Sequence, residues 1–563
     1  MSFSPDRSRI IDVVRQRALW VSPLNGRGKP EKVFEFSDPD VRIDYPAWSP
    51  DGRWVLFDRL RPRGGDVWVM EDFEHPAADD IANEDLGEIE VEPTEPRSIA
   101  ILPFTNLTGD RNVSFYEFSL ADAVITELAR QRSLVVRPSS VVAKYIGHKI
   151  DPLEVGKQLN VDAILSTSFL STKNRVRVNT QLIDVRKGNI LWGESMDSHA
   201  DDIISVQDAI SVRIAEKLKL ELRRSAHPAV TLPATTSPRA YEEYLLGRDQ
   251  YRQYVFHTVA EENVEASIAH FKCAIDLDPN FALAHCALGT SLIQRVLKGV
   301  GVGEDLGGAA TAFDQALALD SDLYEARAYR ALVLRFQGNA EASREQLLGL
   351  RRDAPNNFEA QYMSAVSYRL DGDYENAFRC YSEMLRLDPT AEVSVHCFRA
   401  RFFWYQGKYE QAFRVLDEGR RLAPNHPFVG YFHAIVTFLS GNPGEAAESL
   451  KCLLEVYPLE GFRPLLSMCR SALGDRESAL NELTHRTESV AAANPDVSYG
   501  LASAYLMAGK TDLALHWLKY SIDHGYRNRP WLETSPTWTS MHHDPRFRRL
   551  TSGLIHPTLV NRN

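Results

Sequence analysis

The chain has 563 residues, room for three or four domains, and its 44% hydrophobic and 25% charged side chains are ordinary globular usage. A formal net charge of −12 argues against nucleic acid or an anionic membrane as the main partner. No run approaches the length of apolar residues that spans a bilayer, and "MSFSPDRSRI" lacks the basic start and apolar core of a secretory signal, so no membrane insertion is expected.

Residues 1–72 carry one pattern twice. Phe3-Ser4-Pro5-Asp6 matches Trp48-Ser49-Pro50-Asp51, and Leu19-Trp20-Val21 matches Val67-Trp68-Val69. Each copy reads as strand, Asp-Gly type turn, strand, polar loop, strand, although Arg7 and Ser8 stand where the first copy's glycine would fall. The pattern resembles the propeller blade of the periplasmic protein TolB and its relatives, with the Ser-Pro-Asp-Gly turn as the specific part. A propeller normally needs about four to eight blades, so the resemblance implies an incomplete one. Its open strand edges would offer a surface to a partner or to a second copy of the chain.

Residues 73–97 read as a linker. From Glu71 to Glu95 there are eleven carboxylates and no Lys or Arg, with Pro76 and Pro93 among them, so the stretch has too little apolar surface to order itself.

Residues 98–222 read as a compact α/β domain. "SIAILPF" is a buried strand, "SFYEFSLADAVITELARQ" has helical apolar spacing, and "LVVRPSS" is a second strand. "DPLEVGKQLN" is a helix leading into the strand "VDAILSTSFLS". "RVRVNTQLIDV" alternates, with Arg175, Arg177, Asn179 and Gln181 on one face and Val176, Val178, Thr180 and Leu182 on the other, the mark of a half-exposed sheet. "NILWGESMD" pairs next, and "DIISVQDAISVRIAEKL" closes with a helix. The stretch resembles the N-terminal α/β domain of TolB, through Ile99-Ala100-Ile101-Leu102-Pro103-Phe104, Asn106-Leu107, Gly109-Asp110, Gln181-Leu182-Ile183-Asp184 and Leu191-Trp192. It departs from that family at Ser119-Leu120-Ala121-Asp122, where Gly-Leu-x-Glu is usual. Residues 223–237, with Pro228 and Pro233, form a second linker.

Residues 238–555 repeat with a fixed period. Gly338, Gly372, Gly407, Gly441, Gly474 and Gly509 are 34, 35, 34, 33 and 35 residues apart. Pro355, Pro389, Pro424 and Pro458 each follow a glycine by 17 residues, and Ser343, Ala377, Ala412, Ala446, Ala479 and Ala514 each follow one by 5. Glycine allows the reversal between two helices, the small residue allows their close approach, and proline stops the second helix. A period near 34 with these marks identifies the stretch as similar to tetratricopeptide arrays. Two less regular copies, around Phe271, Ala274 and Pro279 and around Gly289, Phe313 and Ala316, bring the number to about eight. Gln361 and His396 stand where the family usually has a large aromatic residue, and "RPWLETSPTWTSMHHDPRF" leaves the period as a terminal cap. Each unit is expected to contact only its neighbours.

Chemistry is sparse. Cys273, Cys286, Cys380, Cys397, Cys452 and Cys469 all fall in repeats without metal-ligand spacing and read as small buried residues of a reducing cytoplasm. Gly299, Gly301, Gly303, Gly307 and Gly308 follow no strand, so they do not make a phosphate-binding loop. His542-His543 with Asp544 reads as a solvated loop, and Ser195, Asp197 and His199 lack a nucleophile turn. No catalytic residue, cofactor site or metal site is expected.

Function therefore falls to the array, whose first helices should line a concave groove for a protein or peptide. Counting back from the glycines, that groove should hold Tyr362, Arg369, Arg401, Trp404, Tyr405, Tyr431, Ile435 and Phe438, aromatic and arginine side chains of the kind that anchor partners; the alternative is that several of them pack between neighbouring first helices. The sequence thus reads as a multidomain, non-catalytic cytoplasmic scaffold: an α-solenoid, a small α/β domain and an all-β fragment. The alternative is the sensor arm of a bacterial signalling protein of the class III cyclase or winged-helix regulator type, since related architectures place such effectors ahead of this half.

Overall fold

A computed structural model describes residues 98–110, 113–128, 134–148, 150–172, 175–199, 235–389 and 391–554, with seven strands before residue 71. The two Ser-Pro-Asp turns, the acidic linker, the expected helix at 202–218 and most of the Pro-rich linker lie outside the described residues. The chain divides into two compact units, Met1–Thr94 and Glu95–Asn563.

In the first unit β1 (Ser2–Phe3), β2 (Arg9–Val14), β3 (Ala18–Pro23) and β4 (Glu31–Glu35) form one antiparallel sheet in that order. β5 (Arg42–Trp48), β6 (Val55–Arg61) and β7 (Gly64–Met70) form another. Each expected copy supplies three strands, and β4 is an addition to the first. Leu19 and Val21, two positions apart on β3, share a face and bury with Ile11 and with Val55 of the other sheet.

The second unit starts with a mixed sheet in the order β10-β8-β11-β12-β13, built from β8 (Ser98–Ile101), β10 (Val135–Val136), β11 (Ala163–Ser171), β12 (Arg175–Asp184) and β13 (Ile190–His199). β9 (Thr105–Asn106) pairs on β11. β8 runs parallel to both β10 and β11, and the other long pairs are antiparallel. Along β12 the apolar face is buried and Arg175, Arg177 and Gln181 are exposed, as the alternation requires. α1 (Tyr116–Leu128), the short α2 (Ser139–Val142) and α3 (Pro152–Gln158) complete the domain; Asp151 caps α3 by accepting from the Leu153 amide.

Eight helical pairs follow. They are α4 (Pro238–Gln253) with α5 (Glu261–Leu277), α6 (Ala282–Leu297) with α7 (Gly303–Leu319), α8 (Tyr324–Phe336) with α9 (Ala340–Asp353), and α10 (Phe358–Asp371) with α11 (Tyr374–Leu387). Then come α12 (Glu392–Tyr405) with α13 (Tyr409–Leu422), α14 (Pro427–Leu439) with α15 (Pro443–Val456), α16 (Arg463–Ala472) with the short α17 (Arg476–Asn481), and, after α18 (His485–Ala491), α19 (Pro495–Met507) with α20 (Thr511–Asp523). α21 (Arg529–Thr534) and α22 (Pro545–Ser552) end the described chain. All six glycines of the repeat sit between paired helices with φ between 70° and 96°, a conformation that side chains with a Cβ disfavour. The six small residues are buried, so the paired helices do approach closely there.

The array does not have nearest-neighbour contacts alone, and that expectation is corrected. Its C-terminal repeats return onto its early ones. The Gly461 amide donates to the Gly299 carbonyl at 2.9 Å, and the Arg527 amide to the Leu370 carbonyl at 2.7 Å. Asn494 Nδ2 and Arg486 Nη2 donate to the carbonyls of Val296 and Val300, both at 3.0 Å. Arg335, fully buried, donates to the Gly525 carbonyl at 2.8 Å and pairs with Asp371 at 2.5 Å. Helix-end and loop carbonyls that a linear solenoid would leave to water are thus satisfied from 150 residues away or more, which fixes a closed superhelix. The glycine-rich insertion is part of this closure: a Cβ on Gly299 would stand 3.0 Å from the Gly461 Cα.

The α/β domain shares a core with the first repeat. Ala240, Tyr241, Tyr244 and Leu245 of α4 bury in one cluster with Ile99, Leu120, Val124 and Val136. A fragment of residues 95–563 should therefore melt in one cooperative transition by calorimetry, and two separate transitions would contradict this packing.

Candidate binding lumen

First helices of a solenoid present one stripe inward, and here the closure turns that stripe into a lumen of about 730 Å³. All eight side chains expected in the groove line it. Arg369, Trp404 and Tyr405 are buried, while Tyr362, Arg401, Tyr431, Ile435 and Phe438 keep part of their surface exposed. Trp404 is 4% exposed and meets Phe432 edge-on at 5.4 Å. Tyr405 is 8% exposed and packs on Trp531 at 4.9 Å, while Tyr431 stacks on Phe462 at 4.0 Å. Tyr362 leans on Phe398 at 5.8 Å, and Ile435 and Phe438 are half-buried beside Leu465 and Met468. Most of these contacts join first helices of adjacent repeats, and the returning C-terminal repeats add Trp531 and Asp496 as opposing wall. No period-based reading shows such a return, because it depends on superhelical curvature.

Arg369 grips Asp496 with two hydrogen bonds, 2.9 and 2.7 Å, and Arg401 reaches the same carboxylate at 3.4 Å. The bidentate geometry is the strong form of the pair. Burial works to raise the Asp496 pKa, but Arg369 and Arg401 override it and hold the carboxyl down at about 2. Arg401 also lies 4.8 Å from the Phe432 ring centroid, a cation–π contact that keeps the guanidinium against the wall.

A second charged group lies where the α/β domain meets the array. Asp122, 1% exposed, is held by Arg248 through Nε at 2.7 Å and Nη2 at 2.8 Å. Burial opposes the charge on Arg248, and Asp122 overrides it, raising that pKa well above the ordinary value. Ser119, at the same turn, donates to the Leu245 carbonyl at 3.0 Å. The Ser-Leu-Ala-Asp turn that departs from the family pattern is therefore the joint to the repeats. Arg137 makes a further joint by donating to the Arg386 and Leu387 carbonyls at the end of α11, at 2.6 and 2.7 Å.

Glu325 and Glu359 line the same lumen. Burial raises both pKa values, with Arg248 opposing at Glu325 and the Glu325 charge adding at Glu359, which is pushed up to about 7. A carboxyl whose folded pKa exceeds its unfolded value destabilises the fold once it ionises. Stability should therefore be greatest below the unfolded pKa of 4.5 and fall as pH rises through about 7. Melting temperature between pH 5 and pH 8 should drop by the equivalent of roughly 1–3 kcal/mol, and Glu359→Gln should flatten that slope. An unchanged slope in the variant would contradict the assignment.

Sequence reasoning missed Asp122, Arg248, Glu325, Glu359 and Asp496. One signal was there: Glu325, Glu359 and Asp496 each stand thirteen residues before a repeat glycine (Gly338, Gly372 and Gly509), and Phe428 and Gly461, in the same register, also line the lumen. The reading of all six cysteines as buried is corrected. Cys273 and Cys452 are exposed rather than buried. Asp544 caps α22, and His542 Nε2 lies 3.3 Å from the Leu532 carbonyl. Asp197 pairs with Arg177, and Ser195 donates to Asn179. Among the described residues no group of three or more His, Cys, Asp or Glu is placed to hold a metal, and no helix is long and apolar enough to cross a membrane.

Residues 330–392, part of the helical array, match the tetratricopeptide repeat family. Residues 95–213, the α/β domain, match the family described as HilA/YgeH-like transcriptional regulator, second domain. A Rhizobium meliloti (strain 1021) protein, provisionally named adenylate cyclase 3, is 31% identical over 196 residues, which is 35% of this chain and 32% of that protein. The chain thus spans about a third of the length of the curated relative it matches. Among solved structures, a tetratricopeptide repeat protein from Parabacteroides merdae ATCC 43184 aligns over 50% of this chain and 99% of its own, with 16% identity and a TM-score of 0.32. A human IFIT1 dimer with m7Gppp-AAAA aligns over 56% and 77%, with 14% identity and a TM-score of 0.38. At these TM-scores neither likeness carries weight for the function of this chain.

Proposed function

We propose that this chain is a non-catalytic cytoplasmic interaction protein whose tetratricopeptide array receives a short segment of a protein partner in its lumen, against Tyr362, Arg369, Arg401, Trp404, Tyr405, Tyr431, Ile435 and Phe438. The observation that supports this is convergence: α10, α12 and α14 send these side chains into one cavity of about 730 Å³ with aromatic walls. Desolvated aromatic pockets with arginine are where binding energy concentrates. Ile435→Trp, which fills the lumen, should remove specific partners from the set that co-purifies with the full chain, while Leu348→Ser on the outer surface should leave the set intact. An identical set from both variants would count against the lumen as the binding site.

A second reading has some support from the matches to the regulator domain and to the cyclase-named protein: the sensor arm of a bacterial signalling protein. It adds a regulatory target to the binding role without adding chemistry to this chain, so purified protein with ATP or GTP and magnesium or manganese should show background turnover only. Turnover abolished by substituting one specific carboxylate would overturn the non-catalytic reading. For the remaining parts we propose a TolB N-terminal-like fold in the α/β domain and two TolB-type blades in strands β1–β3 and β5–β7, whose edges would suit self-association.

A further inference from the structure

The lumen's charges are mostly committed to one another. Arg248 is held by Asp122, and Arg369 and Arg401 are held by Asp496. Lys298 has no carboxylate partner among the described residues. It caps the C-terminus of α6 and lines the lumen, and among the described residues its Nζ has the Val255 carbonyl at 3.4 Å and the rings of Tyr254 and Phe428 at 5.5 and 5.7 Å. Burial alone lowers its pKa to about 8, with no carboxylate near enough to oppose the shift. His426 lines the same lumen, and its Nδ1 is buried without a hydrogen-bond partner. Two nitrogen groups thus line the lumen with no carboxylate on either among the described residues. Phe428 and Phe462, edge-on at 5.5 Å, provide apolar wall close by.

We propose that the Lys298 part of the lumen binds a small apolar molecule through one carboxylate. The carboxylate pairs with Lys298 Nζ and accepts a hydrogen bond from His426 Nδ1, while the apolar body lies against Phe428 and Phe462. This deepens the reading of the lumen as a binding site, on which it rests, but does not require a protein partner. A volume of about 730 Å³ is within the range of small-molecule sites. Arg369 and Arg401 are engaged with Asp496 and Arg248 with Asp122, so the uncommitted ammonium decides where the carboxylate goes.

The test uses the full chain at pH 7 and two probes of matched shape, 1-naphthylacetate and the neutral 1-naphthylacetamide, in titration calorimetry. The acetate should bind about tenfold or more tighter than the amide. Lys298→Met should erase that preference, and Lys298→Arg should retain most of it. Equal binding of the two probes, binding of neither, or a preference that survives Lys298→Met would each overturn the proposal. The wild-type comparison decides against the site by itself, so a variant that fails to fold does not shelter it. Partner loss in Ile435→Trp is read separately, which keeps failure here distinct from failure of the protein-binding role.

Discussion

Trp404→Ala should destabilise the second unit by about 3–5 kcal/mol, the usual cost of removing a large buried aromatic side chain. The residue is 4% exposed, with Phe432 and Tyr405 edge-on against it and the Arg401 guanidinium over it at 5.7 Å. An alanine there leaves a void bounded by the lumen on one side and the core of α12–α14 on the other, and neither wall can collapse without moving a helix. A ligand-facing tryptophan on an open groove would behave differently, with lost binding and a nearly unchanged melting point. The melting scan therefore separates inter-helix packing from exposed recognition, and a loss under about 1 kcal/mol would mean that Trp404 is not packed between α12 and α14 in solution.

Arg248→Met should have an effect of similar size, about 3–5 kcal/mol, because it strands the Asp122 carboxylate in a dry joint. Asp122 keeps only the short hydrogen bond from Ser139 once the guanidinium is gone. The double replacement Arg248→Met with Asp122→Leu should recover most of the loss, since an apolar pair of similar volume leaves no buried charge. Urea unfolding of residues 95–563 reads this directly. The single variant should also separate the α/β domain from the repeats as its own transition, because Ser119 and Arg137 are then the main polar ties left at the joint. Additive losses in the double variant would show that Asp122 and Arg248 do not act as a pair.

Much of the fold was legible because it is written in short periods. Glycine, the small residue and proline recur in fixed order, and each has a local steric reason, so the helix pairs and their turns follow. The alternation of β12 likewise placed its buried and exposed faces. The candidate site was legible only as a set of side chains, since the glycine register shows which positions face inward but not what faces them. Arg369 and Arg401 read as partner anchors because their own partner, Asp496, is 127 and 95 residues away in the chain. Arg335 shares the register of Arg369, three residues before its glycine, yet it went unnoticed because a fully buried arginine makes sense only once the Gly525 carbonyl is beside it. Asp122 was seen as a departure from a family pattern, and only the packing of α4 on α1 shows why an aspartate there is useful.

Closure of the array on itself is the claim on which the lumen and both proposals depend, and hydrogen exchange tests it most directly. Gly461 lies in a single short turn and Arg527 in the loop after α20, places where amides normally exchange fast, but each donates to a carbonyl of a distant repeat. Mass spectrometry of peptides covering 459–462 and 526–528 should show protection comparable to the repeat helices. Exchange as fast as that of exposed loops at both segments would mean that the C-terminal repeats do not return onto the early ones, and that the lumen is an open groove.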